Sequence, residues 1–225
     1  MSAQSGWACI WDMDDVLVDS GMAHFAAWQA LGRELGHTFT WYQHRESLGR
    51  RTPDILRLAW GLSGPGAAIA RWSERKETLF REQAGRLQPL PGAVELVRAL
   101  QAAGWAQAVA SSGPPANVGL SLQVLGLTDV FAAIVTGADV RQGKPDPEIF
   151  RTALQQLGAA PERSVVMEDA VTGVQAARAT GAFTIGITNT HRRAELEQAG
   201  ADLVLETLVG LDPVRLAQLI TAARG

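Results

Sequence analysis

Six short apolar runs, separated by helical patterns, are the feature that most constrains what this chain can fold into. The runs are rich in Ala, Val and Ile and cover residues 7–12, 106–111, 132–137, 164–169, 182–188 and 202–206. Near-continuous apolar runs of this length are typical of strands that are buried on both faces of a parallel sheet. Because these runs alternate with helical patterns, we predict an α/β fold with a Rossmann-like parallel sheet flanked by helices.

The helical patterns carry residues that start and stop helices. Pro91 is predicted to open one helix, and Gly104 follows its last residue. Asp146 is predicted as the N-cap of another helix, with Gly158 as its C-terminal stop. The segments between the runs therefore have the character of helical crossovers.

The interval between the first and second runs departs from this pattern. It covers about 70 residues, from roughly 19 to 90, and contains three helical patterns but no convincing strand. A crossover in a parallel sheet needs far fewer residues. We therefore predict a core domain of residues 1–18 and 89–225 with an all-helical domain, residues 19–88, inserted in it. The hinges are expected near Val18–Gly21 and Arg86–Pro91.

Composition and charge limit the classes of function. Of the 225 residues 47% are apolar, and the formal net charge of −3 leaves no basic excess for nucleic acid or an anionic membrane. The single cysteine, Cys9, excludes an intramolecular disulfide and is expected to be buried. No secretory signal and no run approaching the ~20 apolar residues of a membrane span are visible. We expect a cytoplasmic monomer or homodimer.

Polar side chains follow several predicted strands at the point where each strand ends. In an open parallel sheet, ligands bind beyond the carboxyl ends of the strands. Lys144 precedes a helix that follows the third run. The polar residues expected at this edge are Asp12, Asp14, Ser111, Ser112, Lys144, Glu168 and Asp169.

The carboxylates in this set repel one another strongly. Two unit charges 4 Å apart repel by ~4 kcal/mol at an effective dielectric constant of 20. Asp12, Asp14 and Asp169 therefore need protonation or a cation. Oxygen ligands without Cys or His favour Mg²⁺ over zinc, and Mg²⁺ usually completes its shell with water and substrate phosphate.

The other members of the set suit a phosphate ester. Hydroxyls, backbone N–H groups and a lysine are suitable donors to phosphate oxygens. A carboxylate can act as a nucleophile toward phosphorus, and a second carboxyl group two residues later can serve as general acid and base. The pattern therefore favours phosphoryl transfer at Asp12 and Asp14.

Four stretches of the sequence, in order, resemble the four motifs of the haloacid dehalogenase-like superfamily. They are DMDDVLVDS, VASS, GKPDPEIF and VMEDAVTGVQAA. The resemblance covers essentially the whole chain, and the helical insert is similar to the small helical cap of that family. Within the superfamily the chain is most similar to the β-phosphoglucomutase-like phosphatases, whose first cap helix resembles DVLVDSGMAHFAAW.

The resemblance implies a role for each matched residue of the core. Asp12 is the nucleophile that takes up the phosphoryl group, and Asp14 is the general acid and base. Ser111 and the backbone N–H of Ser112 hold the transferring group, and Lys144 neutralises charge on it. Positioning and electrostatics supply most of the catalysis in such transfers.

The same resemblance implies a Mg²⁺ site and substrate contacts from the insert. The expected metal ligands are Asp12, the backbone carbonyl of Asp14, Asp169, and Glu168 as a ligand or as a residue just behind the ligands. Candidate substrate-binding residues of the insert are His24, Lys76 and one of the pair Arg50 and Arg51, with Arg51 first. The alternatives are a structural role for His24, a solvated helix face for Lys76 and a solvated basic pair for Arg50 and Arg51.

Two acidic residues of the first motif are expected to have no chemical role. Asp15 stands where the family often has Gly and is interpreted as a solvated turn residue. Asp19 is interpreted as the N-cap of the first insert helix, as part of the hinge, or as both.

The leading functional prediction is a Mg²⁺-dependent phosphomonoester hydrolase of a sugar or polyol phosphate. A phosphoglucomutase uses the same core residues and stays open, although the prolines after Ser112 and the presence of Ser20 lean toward hydrolysis. A dehalogenase needs neither Mg²⁺ nor a second acid and is disfavoured. A receiver domain phosphorylated on aspartate is a distant alternative, because such domains are shorter than this chain and lack a helical insert.

Overall fold

The computed structural model describes residues 6–62 and 66–223 of the chain. Its strands are β1 (Ala8–Trp11), β2 (Val18–Asp19), β3 (Gln88–Pro89), β4 (Ala106–Ala110), β5 (Ala133–Val135), β6 (Ser164–Glu168), β7 (Phe183–Ile187) and β8 (Leu203–Leu205). Six of them form one sheet in the order β5-β4-β1-β6-β7-β8, and every neighbouring pair in it is parallel. All six predicted runs are strands of this sheet, which confirms the predicted fold class.

Within residues 6–62 and 66–223, ten helices surround the sheet or form the insert. They are α1 (Gly21–Leu35), α2 (Trp41–Ser47), α3 (Thr52–Trp60), α4 (Gly66–Arg81), α5 (Ala93–Ala102), α6 (Pro115–Leu125), α7 (Glu148–Leu157), α8 (Val171–Arg178), α9 (Arg193–Ala199) and α10 (Pro213–Ala222). Short 3₁₀ turns cover Ala84–Arg86 and Pro161–Arg163. Within the described ranges, no helix combines the length and the apolar character that a membrane crossing requires.

The helices α1–α4, here called the helical insert, lie between β2 and β3 in the chain. β2 and β3 pair with each other in antiparallel fashion, with Val18 opposite Pro89 and Asp19 opposite Gln88. The two chain segments that enter and leave the insert, predicted as hinges, are thus hydrogen-bonded to each other. The expectation of no strand in this interval was wrong, because a two-residue strand is too short for a periodic pattern.

Helix α2 is absent from the predicted elements. Its sequence signal is a capping box: the Thr40 side chain accepts from the Gln43 backbone N–H, and the Gln43 side chain accepts from the Thr40 backbone N–H. Trp41 and Tyr42 in its first turn are exposed. Seven residues with exposed aromatic side chains do not produce an amphipathic pattern.

Two predicted helix starts differ from the structure by about a turn or less. Helix α5 begins after Gly92, which has a φ of 82° and lies so close to Val209 that no side chain would fit. Helix α7 begins at Glu148, whose backbone N–H donates to the Asp146 side chain at 2.9 Å. Its predicted stop is confirmed, since Gly158 is left-handed with a φ of 60°.

One apolar core joins the insert to the sheet. Cys9 and Trp11 of β1 belong to the same buried cluster as Trp28 of α1 and Phe80 of α4. The predicted burial of Cys9 is confirmed, and burial raises the pKa of its thiol. The insert therefore packs against the carboxyl end of β1.

Candidate active site

The strand order brings five of the predicted site residues to one edge of the sheet. β1 leads to Asp12, and its neighbour β6 leads to Glu168 and Asp169. β4, on the other side of β1, leads to Ser111 and Ser112. Because the strands are parallel, their carboxyl ends meet at the edge where ligands bind in such sheets.

Three carboxylates converge at this edge. Oxygen atoms of Asp12, Glu168 and Asp169 all lie within 4.8 Å of one another, and all three side chains are buried. Burial and the neighbouring carboxylates raise the pKa values of Asp12 and Asp169 well above the usual range, although Lys144 opposes this rise for Asp12. Such a group of buried oxygen donors suits a hard cation such as Mg²⁺.

The positively charged side chain of Lys144 lies within this cluster of carboxylates. Its Nζ lies 2.5 Å from Asp12 Oδ1 and 2.5 Å from Glu168 Oε1, and its side chain is fully buried. Burial alone would lower the pKa of Lys144, but the two carboxylates raise it above its ordinary value. Lys144 is therefore charged and holds the Asp12 carboxylate in place.

The Asp14 carboxylate points away from this cluster and toward the insert. Its Oδ1 accepts from the Ser20 hydroxyl at 2.7 Å and lies 3.2 Å from His24 Nε2. Burial opposes ionisation of Asp14, yet His24 and Ser20 together lower its pKa to about 2. Among the described residues, the Asp14 side chain is not part of the converging carboxylate group.

A chain of polar contacts continues from His24 into the insert and back to the core. His24 Nδ1 lies 2.7 Å from Lys76 Nζ, which pairs with Glu77 at 3.2 Å. Glu77 accepts from the Asn117 amide of α6 at 2.6 Å and from the Thr52 hydroxyl. Lys76 is buried, so the alternative of a solvated helix face was wrong.

The roles expected for the two bystander acids need correction. Asp15 is buried, with a left-handed φ of 57°, and its Oδ1 accepts from the backbone N–H groups of Ser20 and Gly21 at 3.1 and 2.9 Å. Asp15 is a turn residue as predicted, but it is not solvated, and burial raises its pKa to about 6. Asp15 thus accepts the hydrogen bonds at the start of α1 that were expected to go to Asp19. Asp19 instead lies in β2, where it is exposed.

The two serines after β4 have different surroundings. The Ser111 hydroxyl accepts from the Gly113 backbone N–H at 3.1 Å. The Ser112 hydroxyl donates to the Gly49 carbonyl of the insert at 2.7 Å. Within the described part of the chain, the backbone N–H of Ser112 is not donated to any acceptor. It therefore retains its capacity to bind an anion.

Arg51 does not line the cavity between the insert and the sheet edge. It donates to Asp54 at 3.0 Å and to the carbonyl oxygens of Val140 and Arg141 in the loop before Lys144. Arg50 lines that cavity instead. The order of preference within the arginine pair therefore changes to Arg50 first, and a substrate contact by either residue stays a prediction.

The cavity itself measures about 80 Å³ and is enclosed by both parts of the fold. From the sheet edge Asp12, Asp14, Ser112 and Asp169 line it; from the insert come His24, Trp28, His44, Arg50, Lys76 and Glu77, among others. His24 and Lys76 thus face the space where they were predicted to contact a substrate. Burial, and to a smaller extent the neighbouring His24 and Lys76, lower the pKa of His44 to about 4.

Four residues of this region were not found by sequence reasoning. Thr52, Glu77 and Asn117 approach one another only through the packing of α3, α4 and α6. Thr190, in the loop after β7, donates to Asp169 Oδ2 at 2.5 Å. A Thr in a polar loop or a Glu on a helix face carries no local signal for such contacts.

Comparisons with known proteins show the family of this chain. The family model of the haloacid dehalogenase-like hydrolases matches residues 8–181. The phosphorylated carbohydrates phosphatase of Thermotoga maritima is 33% identical over 178 residues, which cover 77% of this chain and 81% of that protein. The β-phosphoglucomutase of Bacillus subtilis is 28% identical over 207 residues, which cover 88% of each chain.

A solved structure shows the same fold. The β-phosphoglucomutase of Clostridium difficile superposes with a TM-score of 0.86 at 23% identity, covering 96% of this chain and 98% of that one. The match of the family model to most of the chain also confirms the resemblance seen in the four motifs. This chain belongs to the haloacid dehalogenase-like hydrolases and resembles their β-phosphoglucomutase-like members.

Proposed function

We propose that this protein is a Mg²⁺-dependent phosphomonoester hydrolase that acts on a phosphorylated carbohydrate through an aspartyl-phosphate intermediate. Family membership and the phosphatase among its relatives support the reaction class and the substrate class. The observation that carries the mechanism is the buried Asp12 carboxylate, which lies 2.5 Å from Lys144 Nζ and lines a cavity. Two residues later, Asp14 faces the same cavity.

The residues at the sheet edge fit a magnesium ion. Three buried carboxylates within 4.8 Å carry more negative charge than Lys144 alone neutralises, and all their donors are oxygen. We propose that Asp12, Glu168 and Asp169, with the backbone carbonyl of Asp14, hold the ion. When bound, it would neutralise charge on the phosphoryl group and help to orient that group for attack.

In the first step, an Asp12 oxygen attacks phosphorus and the bond to the leaving oxygen breaks. Lys144, the Ser111 hydroxyl and the Ser112 backbone N–H stabilise the charge on the transferring group. Asp14 donates a proton to the leaving oxygen. Since its pKa is about 2 without substrate, this role depends on the negative charge of the substrate, which raises the pKa of a neighbouring carboxyl group.

In the second step, water attacks the phosphorus of phospho-Asp12. Asp14, now a carboxylate, takes a proton from that water. The bond between phosphorus and the Asp12 oxygen breaks, inorganic phosphate leaves, and both carboxyl groups return to their starting forms. Contacts of Asp14 with Ser20 and His24 hold it beside the reaction in both steps.

We further propose that residues 19–88 act as a cap over the core of residues 1–18 and 89–225. The cavity of about 80 Å³ is well below the ~300 Å³ at which typical ligand sites begin. A sugar phosphate can therefore enter only if the insert moves. The short pairing between β2 and β3 offers the two hinge strands for that motion.

The charges of the cavity favour hydrolysis over a mutase reaction. A mutase must bind a second phosphate group of its bisphosphate intermediate under the cap. Here Glu77 offsets the charge of Lys76, which leaves Arg50 as the arginine of the insert that lines the cavity. The segment after Ser112 carries prolines and no lysine. Conversion of β-glucose 1-phosphate to glucose 6-phosphate, without release of phosphate, would support the mutase instead.

The test is release of inorganic phosphate from a panel of sugar and polyol phosphates, with Mg²⁺ and with EDTA. We expect turnover only with Mg²⁺, and loss of turnover in Asp12→Asn. Arg151→Gln, at an exposed position on α7, is the control for an unrelated substitution. Turnover in Asp12→Asn equal to that of the wild type would refute the mechanism.

A further inference from the structure

The loop of residues 188–192, here called the β7 loop, lies outside the four motifs but contacts the site at two points. The Asn189 side-chain amide donates to the Asp15 carbonyl at 2.7 Å. The Thr190 hydroxyl contacts Asp169, with Oγ1 lying 2.5 Å from Oδ2 and 2.8 Å from the backbone carbonyl oxygen. The loop thus joins the turn after β1 to the acid after β6.

The insert also contacts the helix that follows the β7 loop. Arg45 of α2 pairs with Glu195 of α9 at 3.3 Å. Glu195 also accepts from the Arg192 backbone N–H at 2.8 Å. Thr190 therefore sits in a loop that is anchored on both sides, so its hydroxyl has a defined position relative to Asp169.

A threonine hydroxyl has one hydrogen, so only one of the two Asp169 oxygens can receive it. The shorter contact, to Oδ2, has the length of a hydrogen bond from a hydroxyl to a charged oxygen. His191 Nδ1, 3.1 Å from Thr190 Oγ1 and 3.3 Å from the Asp169 carbonyl, can donate to either. Thr190 then accepts from His191 and donates to Asp169.

The consequence is an asymmetric Asp169 carboxylate. Oδ2 is occupied by Thr190, and Asp169 still offers an oxygen to the group it forms with Asp12 and Glu168. Carboxylates that bind a metal are commonly held in this way by a hydrogen bond to a neighbouring group, which fixes their orientation.

We propose that Thr190 is a positioning residue, which orients Asp169 to bind Mg²⁺ by occupying one of its two oxygens. The inference rests on the proposed Mg²⁺ site and adds to it a residue that contacts neither the ion nor the substrate. Its predicted effect is on Mg²⁺ affinity, which is measured without turnover.

The test is calorimetric titration of the full chain with Mg²⁺ alone, in the absence of substrate. Thr190→Val removes the hydroxyl and keeps the shape of the side chain, whereas Thr190→Ser keeps the hydroxyl. Thr188→Val is the matched control, because the Thr188 hydroxyl makes no hydrogen bond within the described ranges. Unfolding temperatures in EDTA show that each variant is folded.

We expect Thr190→Val to weaken Mg²⁺ binding about 10- to 100-fold, the usual effect of losing such a partner. Thr190→Ser and Thr188→Val should remain near the wild type. Wild-type affinity in Thr190→Val overturns the inference alone, as does equal weakening in the Ser or control variant. A wild-type protein that binds no Mg²⁺ overturns the proposed cofactor and this inference together.

Discussion

The side-chain amide of Asn117 on α6 donates to the Glu77 carboxylate on α4 at 2.6 Å, and so links the core to the helical insert. Arg81 of α4 donates to the same Asn117 side chain at 3.1 Å. Both groups of Asn117 are thus used, one for each partner. The link continues from Glu77 through Lys76 to His24, and His24 contacts Asp14.

Replacing Asn117 should destabilise the protein. Asn117→Ala leaves the buried Glu77 without one donor, and loss of one partner of a buried hydrogen bond costs about 1–3 kcal/mol. We expect a fall of this size in the free energy of unfolding in urea. Gln123→Ala, at an exposed position of the same helix, should change little. Equal stability of the two variants would mean that the link contributes nothing.

Replacing Lys144 should impair catalysis severely. Lys144→Met removes the positive charge between Asp12 and Glu168, whose carboxylates then repel each other. Removing one such electrostatic group from an active site lowers kcat by about 10²–10³-fold. Steady-state kinetics with the best sugar phosphate at saturating Mg²⁺ measures this. A kcat within a few per cent of the wild type would remove Lys144 from the proposed mechanism.

Acid should weaken the fold through His44. Its pKa is about 4 in the folded protein and near 6.5 when unfolded, so the unfolded chain binds the extra proton first as the pH falls. Stability is thus fully present above pH 6.5 and is lost as the pH falls toward 4. Between pH 7.5 and 5 the loss from His44 is about 2 kcal/mol.

This pH dependence is isolated with His44→Phe, which keeps an aromatic ring beside Phe25 and Trp41. Its unfolding free energy should fall less between pH 7.5 and 5 than that of the wild type. His37→Phe, at an exposed position, should retain the wild-type slope. The same slope in all three proteins would contradict a buried neutral His44.

The left-handed backbone of Asp15 gives a fourth prediction. Both Asp15→Gly and Asp15→Ala lose the hydrogen bonds to the Ser20 and Gly21 backbone N–H groups. The positive φ of this position costs a residue with a Cβ about 1 kcal/mol or more. Gly has no Cβ and avoids this cost, whereas Ala does not. We therefore expect Asp15→Gly to be more stable than Asp15→Ala by about that amount. Thermal unfolding of the two variants measures this difference. A more stable Asp15→Ala variant would contradict the cost assigned to a Cβ at this left-handed position.

The sheet and the core motifs were predictable because their signals are local. Apolar runs of five to seven residues marked all six strands, and parallel pairing then placed Asp12, Ser112 and Asp169 at one edge. The residue types at those positions, with the family resemblance, indicated a phosphate site with Mg²⁺.

The other contacts of the site could not be predicted, because they join elements that are distant in the sequence and no single segment carries a signal for them. No local pattern singles out Glu77, whose contact with Asn117 arises where α4 packs against α6. Arg51 was the first choice of the arginine pair for a substrate contact. In the structure it donates hydrogen bonds to two backbone carbonyl oxygens of another loop. Asp15 was predicted as a solvated turn residue because its local sequence indicates only a turn. Its burial results from the surrounding fold. Contacts of this kind are set by tertiary structure.

The central claim is that Asp12 carries the phosphoryl group during turnover. Acid quenching of the enzyme during reaction with a good sugar phosphate and Mg²⁺, followed by peptide mass spectrometry, tests it most directly. The account predicts phosphate on the peptide that contains Asp12, absent with EDTA and absent in Asp12→Asn. Phosphate release without any phosphorylated peptide, at an undiminished rate in Asp12→Asn, would contradict it.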